Sequence, residues 1–298
     1  MESTLSAATS SSEASALAAP GVVVAIVVDR PTSTLEVVLS ALAAQDYPNM
    51  QVLVLLTGSD ADEFGLVHEI VQTTFATTEV PQPHIYQIGA HPGFGPAANT
   101  ALRLVEGDSG FFLVMHDDVA LMSDSLRILV EELYRSNAGM VGPKFVEWDD
   151  DRRLQAVGFD GDWFGELDSD IEPHELDQEQ HDAVRDVFVL PSACFLIRAD
   201  LFRELGGFEP TIEFFGEDLD LCWRAHMSGA RVVVVPAATA RHRATIVERL
   251  ATRHRDSAAL ARQAERHRTT TVASLTGARR LPIVLPLLVL LSFQTQKD

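Results

Sequence analysis

The sequence is short of basic residues and of cysteine, and it contains no apolar run long enough to cross a bilayer. Lys and Arg total 23 against 43 Asp and Glu, a net charge of −20. A globule this acidic is repelled by phosphate backbones, which excludes wrapping of nucleic acid. The two cysteines, Cys194 and Cys222, form no CxxC spacing. Neither a zinc ribbon nor a disulfide framework is available, and reduced, buried thiols are expected. Residues 1–20 are Ser/Ala-rich without a basic start or an apolar stretch. That is no signal peptide, and it reads as a disordered segment.

The few basic residues are concentrated. Between Arg241 and Arg280 stand ten arginines against Glu248, Asp256 and Glu265. This segment runs directly into "LPIVLPLLVLLSF", residues 281–293. Thirteen residues fall short of the roughly 20 that span hydrocarbon. The expectation is a basic juxtamembrane helical segment over 244–280, followed over 281–298 by the start of a truncated membrane span. Arg262, Arg266, Arg268, Arg279 and Arg280 would then hold the preceding domain at the cytoplasmic face of the membrane. An exposed Arg-rich helix with its apolar end docked on the core is the alternative.

Residues 22–28, "VVVAIVV", are β-branched and apolar throughout, the pattern of a strand covered on both faces. A helix is predicted over 32–45, where Leu35, Val38, Leu39 and Leu42 share a face, then a buried strand, "QVLVLL", and a helix over 61–75. The short strand "HIYQI" comes next, and after "GFGPAAN" a helix should run to about Val105 before the strand "FFLVM". Alternation of strand and helix predicts an α/β layer with a mainly parallel sheet. Residues 147–186 lose periodicity and gather acids, which predicts an inserted loop or lid. Order returns with "VFVLPSACFLIR", read as two short strands, then helices over 199–205 and 217–227 and a last strand, "RVVVV".

Three clusters offer chemistry. In "FFLVMHDDVAL" a buried strand ends in His116, Asp117 and Asp118, at the end of an α/β strand where ligands bind. Adjacent carboxylates without a nearby Lys suit a divalent cation with oxygen ligands; a capped or solvated turn is the other reading. Glu217, Asp218 and Asp220 open a helix, where the macrodipole favours acids; functionally, Asp218 is placed to serve as a general base. His242 follows the last strand and could offer an imidazole to the same cation. "GFGPAAN" contains GxGxxA, but "GAHP" separates it from the preceding strand and that strand is the third of the layer. A dinucleotide-binding dehydrogenase is therefore disfavoured.

Taken together, the strand-end acids, "GFGPAANTAL", the block "ADLFRELGGFEPTIEFFGEDLDLCWRAHMSGARVVVVP" and the His that follows resemble the family-2 glycosyltransferases of GT-A fold. The stretch "ELDQEQHDAVRDVFVLPSACFLIRADLF" is similar to large actinobacterial members with a C-terminal membrane portion. The resemblance covers residues 22–243 and implies a GT-A α/β domain over 21–243. It implies a nucleotide-diphosphate sugar as donor, Mg²⁺ or Mn²⁺ as cofactor, and a glycan or lipid-linked acceptor of the cell envelope. Asp118, His242 and His116 would hold the metal, while Asp29, Asn99, Asp117 and Asp60 would contact the donor. Asp218 and Glu217 would carry catalysis, and Asp220 would face the acceptor; Trp163, in the irregular "GFDGDWFGE", either stacks on an acceptor sugar or anchors its loop. Two positions depart from the family pattern. The metal motif begins with His116 instead of Asp, and the second strand ends in Thr57, with Asp60 displaced from the base-binding turn. A non-catalytic domain that keeps the fold and binds a ligand is the rival reading.

Overall fold

The computed structural model describes residues 19–89, 92–107, 110–162, 164–244 and 257–276. The expectations for residues 1–18, Trp163 and 277–298 lie outside the described residues. Among the described residues no helix is long and apolar enough to cross a membrane.

Strands β1 (Val22–Asp29), β2 (Met50–Thr57), β3 (His84–Ile88) and β4 (Phe111–His116) run parallel in the order β3-β2-β1-β4. The sheet continues through β11 (Cys194–Arg198), antiparallel to β4 and to β6 (Met140–Glu147). It ends with β12 (Val232–His242), parallel to β6, and the short β10 (Arg185–Asp186). This is the expected α/β architecture, a mixed and mainly parallel sheet flanked by helices.

The apolar run of β1 shows why both faces must be covered. Val22, Val24, Ile26 and Val28 point to one core with helices α1 (Ser33–Ala43), α2 (Ala61–Phe75) and α5 (Ser125–Ser136). Ala25 and Val27 point to the other, with α3 (Phe94–Ala98), α4 (Thr100–Leu104), α6 (Ala199–Glu204) and α7 (Glu217–Met227). Each fully buried Val or Leu contributes roughly 1.5–3 kcal/mol relative to exposure, and β1 carries no charge before Asp29 at its end. Cys194 and Cys222 are both free and buried in these cores, as expected.

Some elements differ from expectation. The single helix after "GFGPAAN" is two short ones, α3 and α4, broken at Asn99. Of the strand pair in "VFVLPSACFLIR" only β11 forms; Val189 makes an isolated bridge with Phe159. The last strand is longer than "RVVVV" and runs to His242. Its pairing with β6 slips between Val235 and Thr239, opposite Pro143. A proline cannot donate to the ladder, and this bulge lets the strand continue past it. The acidic stretch 147–186 carries the short strands β7 (Leu154–Ala156), β8 (Asp160–Gly161) and β9 (Leu167–Asp168). It is pinned by the buried Lys144, whose Nζ lies 2.7 Å from Asp177 and 2.8 Å from Asp182. A last helix, α8 (Ser257–Leu275), packs against α7.

Candidate active site

The site grows out of three chain ends brought together by pairing. His116 closes β4, where its N–H donates to the Ala193 carbonyl, and it stacks edge-on against Phe94 at 4.1 Å. The chain turns at Asp117 and Asp118, both buried, and enters β5 (Val119–Leu121). Strand β5 pairs antiparallel with the end of β12, setting His242 opposite Val119, and Arg243 N–H donates to the Asp118 carbonyl. The bulge opposite Pro143 thus feeds His242 into position beside Asp118.

His116 Nδ1 lies 3.8 Å from Asp118 Oδ1, and His242 Nε2 lies 3.6 Å from the same oxygen. One ligand-type atom from each of His116, Asp118 and His242 falls within a 4.8 Å cluster. The His242 ring is oriented from behind. Its Nδ1–H donates to Gln155 Oε1 at 2.8 Å, while Gln155 Nε2 donates to the His242 carbonyl at 3.3 Å. With Nδ1 protonated, the buried Nε2, which makes no hydrogen bond, presents its lone pair to the cluster. Burial holds this imidazole below its ordinary pKa, against the opposing pull of Asp118. It is neutral near pH 7, the form that ligates.

Glu217 and Asp218 sit at the start of α7, after a turn with Phe215 at φ 61° and Gly216 at φ 92°. Glu217 is buried; its Oε1 accepts from Ser192 Oγ at 3.0 Å, and its Oε2 makes no hydrogen bond. Ser192 precedes Ala193, the residue that holds His116, so the acids and the histidine cluster share one stretch of backbone. Burial, then repulsion from Asp218, pushes Glu217 up to about 7. Burial also raises Asp218, against backbone N–H groups that pull it down, among them Leu219 N–H at 2.8 Å. Asp218 retains a partly exposed surface where Glu217 does not.

The other predicted residues divide. Asp29 and Thr57 are paired across β1 and β2, Thr57 Oγ1 lying 3.5 Å from Asp29 Oδ1 at the carboxyl edge of the sheet. The threonine that replaces the family's aspartate therefore shares its place with Asp29. Asp60 is exposed and caps α2, its Oδ1 accepting from Asp62 and Glu63 N–H in a capping box. Asn99 is bound to the backbone of Phe208. Its amide donates to the Phe208 carbonyl and accepts from the Phe208 N–H, both at 2.8 Å. That leaves its polar groups engaged with backbone, and it joins the α3–α4 break to the segment before α7. The Asp220 carboxylate is bound by Arg224 at 2.5 and 2.9 Å within α7. Gln155 and Ser192 carried no sequence signal; each is a lone polar residue between apolar neighbours.

The family model described as "Glycosyltransferase like family 2" matches residues 20–270. The chain belongs to this family, the class that the sheet, the strand-end His–Asp–Asp and the Glu–Asp helix define. The O-antigen biosynthesis protein RfbC of Myxococcus xanthus is 28% identical over 213 residues, which is 69% of this chain and 16% of that protein. The pre-mycofactocin glycosyltransferase of Mycobacterium tuberculosis is 28% identical over 152 residues, 50% of this chain and 30% of that protein. The chain thus spans less than a third of these curated relatives. Among solved structures, GalNAc-T7 with UDP, GalNAc and Mn²⁺ aligns with a TM-score of 0.60 at 12% identity, over 76% of this chain and 44% of that one. S. aureus TarS 1–349 aligns at 0.54 and 14% identity, over 88% and 77%. These likenesses establish the GT-A fold.

Proposed function

We propose that the chain moves a sugar from a nucleoside-diphosphate donor to a hydroxyl of a lipid-linked or cell-envelope glycan, inverting the anomeric centre. The convergence of His116, Asp118 and His242 at the carboxyl edge of the sheet, on the same backbone as Glu217 and Asp218, carries this reading. The Arg-rich segment supports work at the cytoplasmic face of a membrane. The O-antigen name of one relative supports an envelope glycan as acceptor.

The donor set fits a divalent cation, Mg²⁺ or Mn²⁺: a buried carboxylate, a neutral imidazole locked with its lone pair inward, and a second imidazole. The GalNAc-T7 structure, solved with UDP and Mn²⁺, supports that fit. Such an ion, when bound, offsets charge on the departing diphosphate. The chain's own part is acid–base work. Asp218 takes the proton of the acceptor hydroxyl as that oxygen bonds to the anomeric carbon and the carbon–diphosphate bond breaks. One displacement inverts the configuration. A carboxylate raised toward neutrality is a stronger base than a free one, which suits this role. Glu217, held by Ser192, is placed to hydrogen-bond acceptor hydroxyls, and Asp29 and Thr57 to meet the donor.

Asp218→Asn tests the reading. Nucleoside diphosphate release from the donor should fall about 10²–10⁴-fold, with metal-dependent nucleotide binding unchanged. Retained turnover would remove Asp218 from the role of base.

A further inference from the structure

Part of the segment expected to be a basic juxtamembrane helix, α8, packs on the helix that carries Glu217 and Asp218. Val272 of α8 is fully buried against Phe164 and Trp223, and Thr271 is buried beside it. Gly165, at φ 69°, leaves so little room that a Cβ there would meet Val272 at 3.0 Å and Leu219 at 3.2 Å. Arg268 of α8 donates to the Phe164 carbonyl at 2.8 Å and pairs with Glu166 at 2.7 Å. These contacts fasten the acidic stretch to the helix that carries Asp218.

His267 contacts the turn that precedes the acids. Its Nδ1 lies 2.9 Å from the Phe214 carbonyl and 3.0 Å from the Phe215 carbonyl. Both partners only accept, so Nδ1 carries the proton and donates to both. Phe215 is a non-glycine residue in the left-handed region and Gly216 follows at φ 92°. For a bulky residue that conformation is strained and persists only where neighbours over-determine it. The His267 N–H is such a neighbour, and the His267 Cβ lies 3.4 Å from where a side chain on Gly216 would begin. The next two residues are Glu217 and Asp218.

We infer that His267 is a positioning residue for the catalytic base: through the Phe214 and Phe215 carbonyls, α8 holds the turn that aims Asp218. The inference rests on the reading of Asp218 as base. It makes α8 part of the acceptor end of the site, so that displacing this helix lowers transfer without emptying the donor site.

The full chain is compared as wild type, His267→Phe, which keeps a ring but loses the donor, and His267→Asn, whose amide can replace Nδ1–H. In His267→Phe, hydrogen exchange of the amides at 217–221 should quicken by about 10-fold, the loss of one to two hydrogen bonds, while β1 and β4 stay protected. The kcat for donor turnover should fall on the order of 10-fold or more, with donor KM and nucleotide affinity within about twofold. His267→Asn should restore both readouts. Wild-type exchange and kcat in His267→Phe, or no restoration by Asn in a folded protein, would overturn the inference. If the wild type bound no nucleotide, the transfer reading would fail, while the exchange comparison would still decide whether His267 braces the turn.

Discussion

Replacing Gln155 by Leu removes the group that fixes the His242 tautomer. In the native site Nδ1–H is held at 2.8 Å by Gln155 Oε1, and the amide is itself held by the His242 carbonyl. Leucine leaves Nδ1–H buried without a partner, a cost of about 1–3 kcal/mol. The ring relieves it by moving its proton to Nε2 or by rotating, and either change withdraws the lone pair from Asp118 and His116. A penalty of that size corresponds to about 10- to 100-fold weaker metal binding, the range known for partners of ligating histidines. Mn²⁺ titration followed by electron paramagnetic resonance, with saturating nucleoside diphosphate, measures this directly. Gln155→Glu is the companion variant, since a carboxylate accepts from Nδ1–H at least as well and should keep the affinity. If Gln155→Leu bound Mn²⁺ as tightly as wild type, His242 would not be held in its ligating form by this contact.

Asn99→Ala should destabilise the fold by about 2 kcal/mol, because the Phe208 N–H and carbonyl both lose a 2.8 Å partner. Urea denaturation would show it, and nucleotide affinity of the folded protein should not change; a selective loss of affinity would return Asn99 to the donor site. Glu217 has a folded pKa raised to about 7 from an ordinary 4.5, so the folded state binds the proton more tightly than the unfolded one. Its contribution to stability is complete below about pH 4.5 and is lost as pH rises through 7. Glu217→Gln should flatten the fall in stability over that window, and an unchanged slope in pH-dependent unfolding would contradict it.

Much of the sheet was legible because its signals are local. "HIYQI" became β3 over the same five residues, and the helices at 61–75 and 217–227 have the predicted bounds. Strand β6 was hidden for the opposite reason. "MVGPKFVE" carries Gly142, Pro143 and Lys144, which argue against a central strand unless a bulge and an acidic clamp in distant segments are known. The site divides along the same line. His116, Asp118 and His242 announced themselves as ligand types at strand ends, and the structure brings them together. Asp60, Asn99 and Asp220 carry ligand-type chemistry and are also engaged by the fold, at Glu63, Phe208 and Arg224. Whether such a side chain serves a ligand or the fold depends on its neighbours in space. Gln155 shows the converse: a glutamine in an irregular acidic stretch has no signal until His242 is seen against it.

The central claim is that His116, Asp118 and His242 form a metal-assisted donor site. Calorimetric titration of UDP, GDP and dTDP, with and without Mn²⁺, against wild type and Asp118→Ala tests it most directly. One nucleotide should bind wild type only with the ion present, and Asp118→Ala should abolish this binding while remaining folded. Failure of all three nucleotides on folded wild type with Mn²⁺, or equal binding by Asp118→Ala, would contradict it.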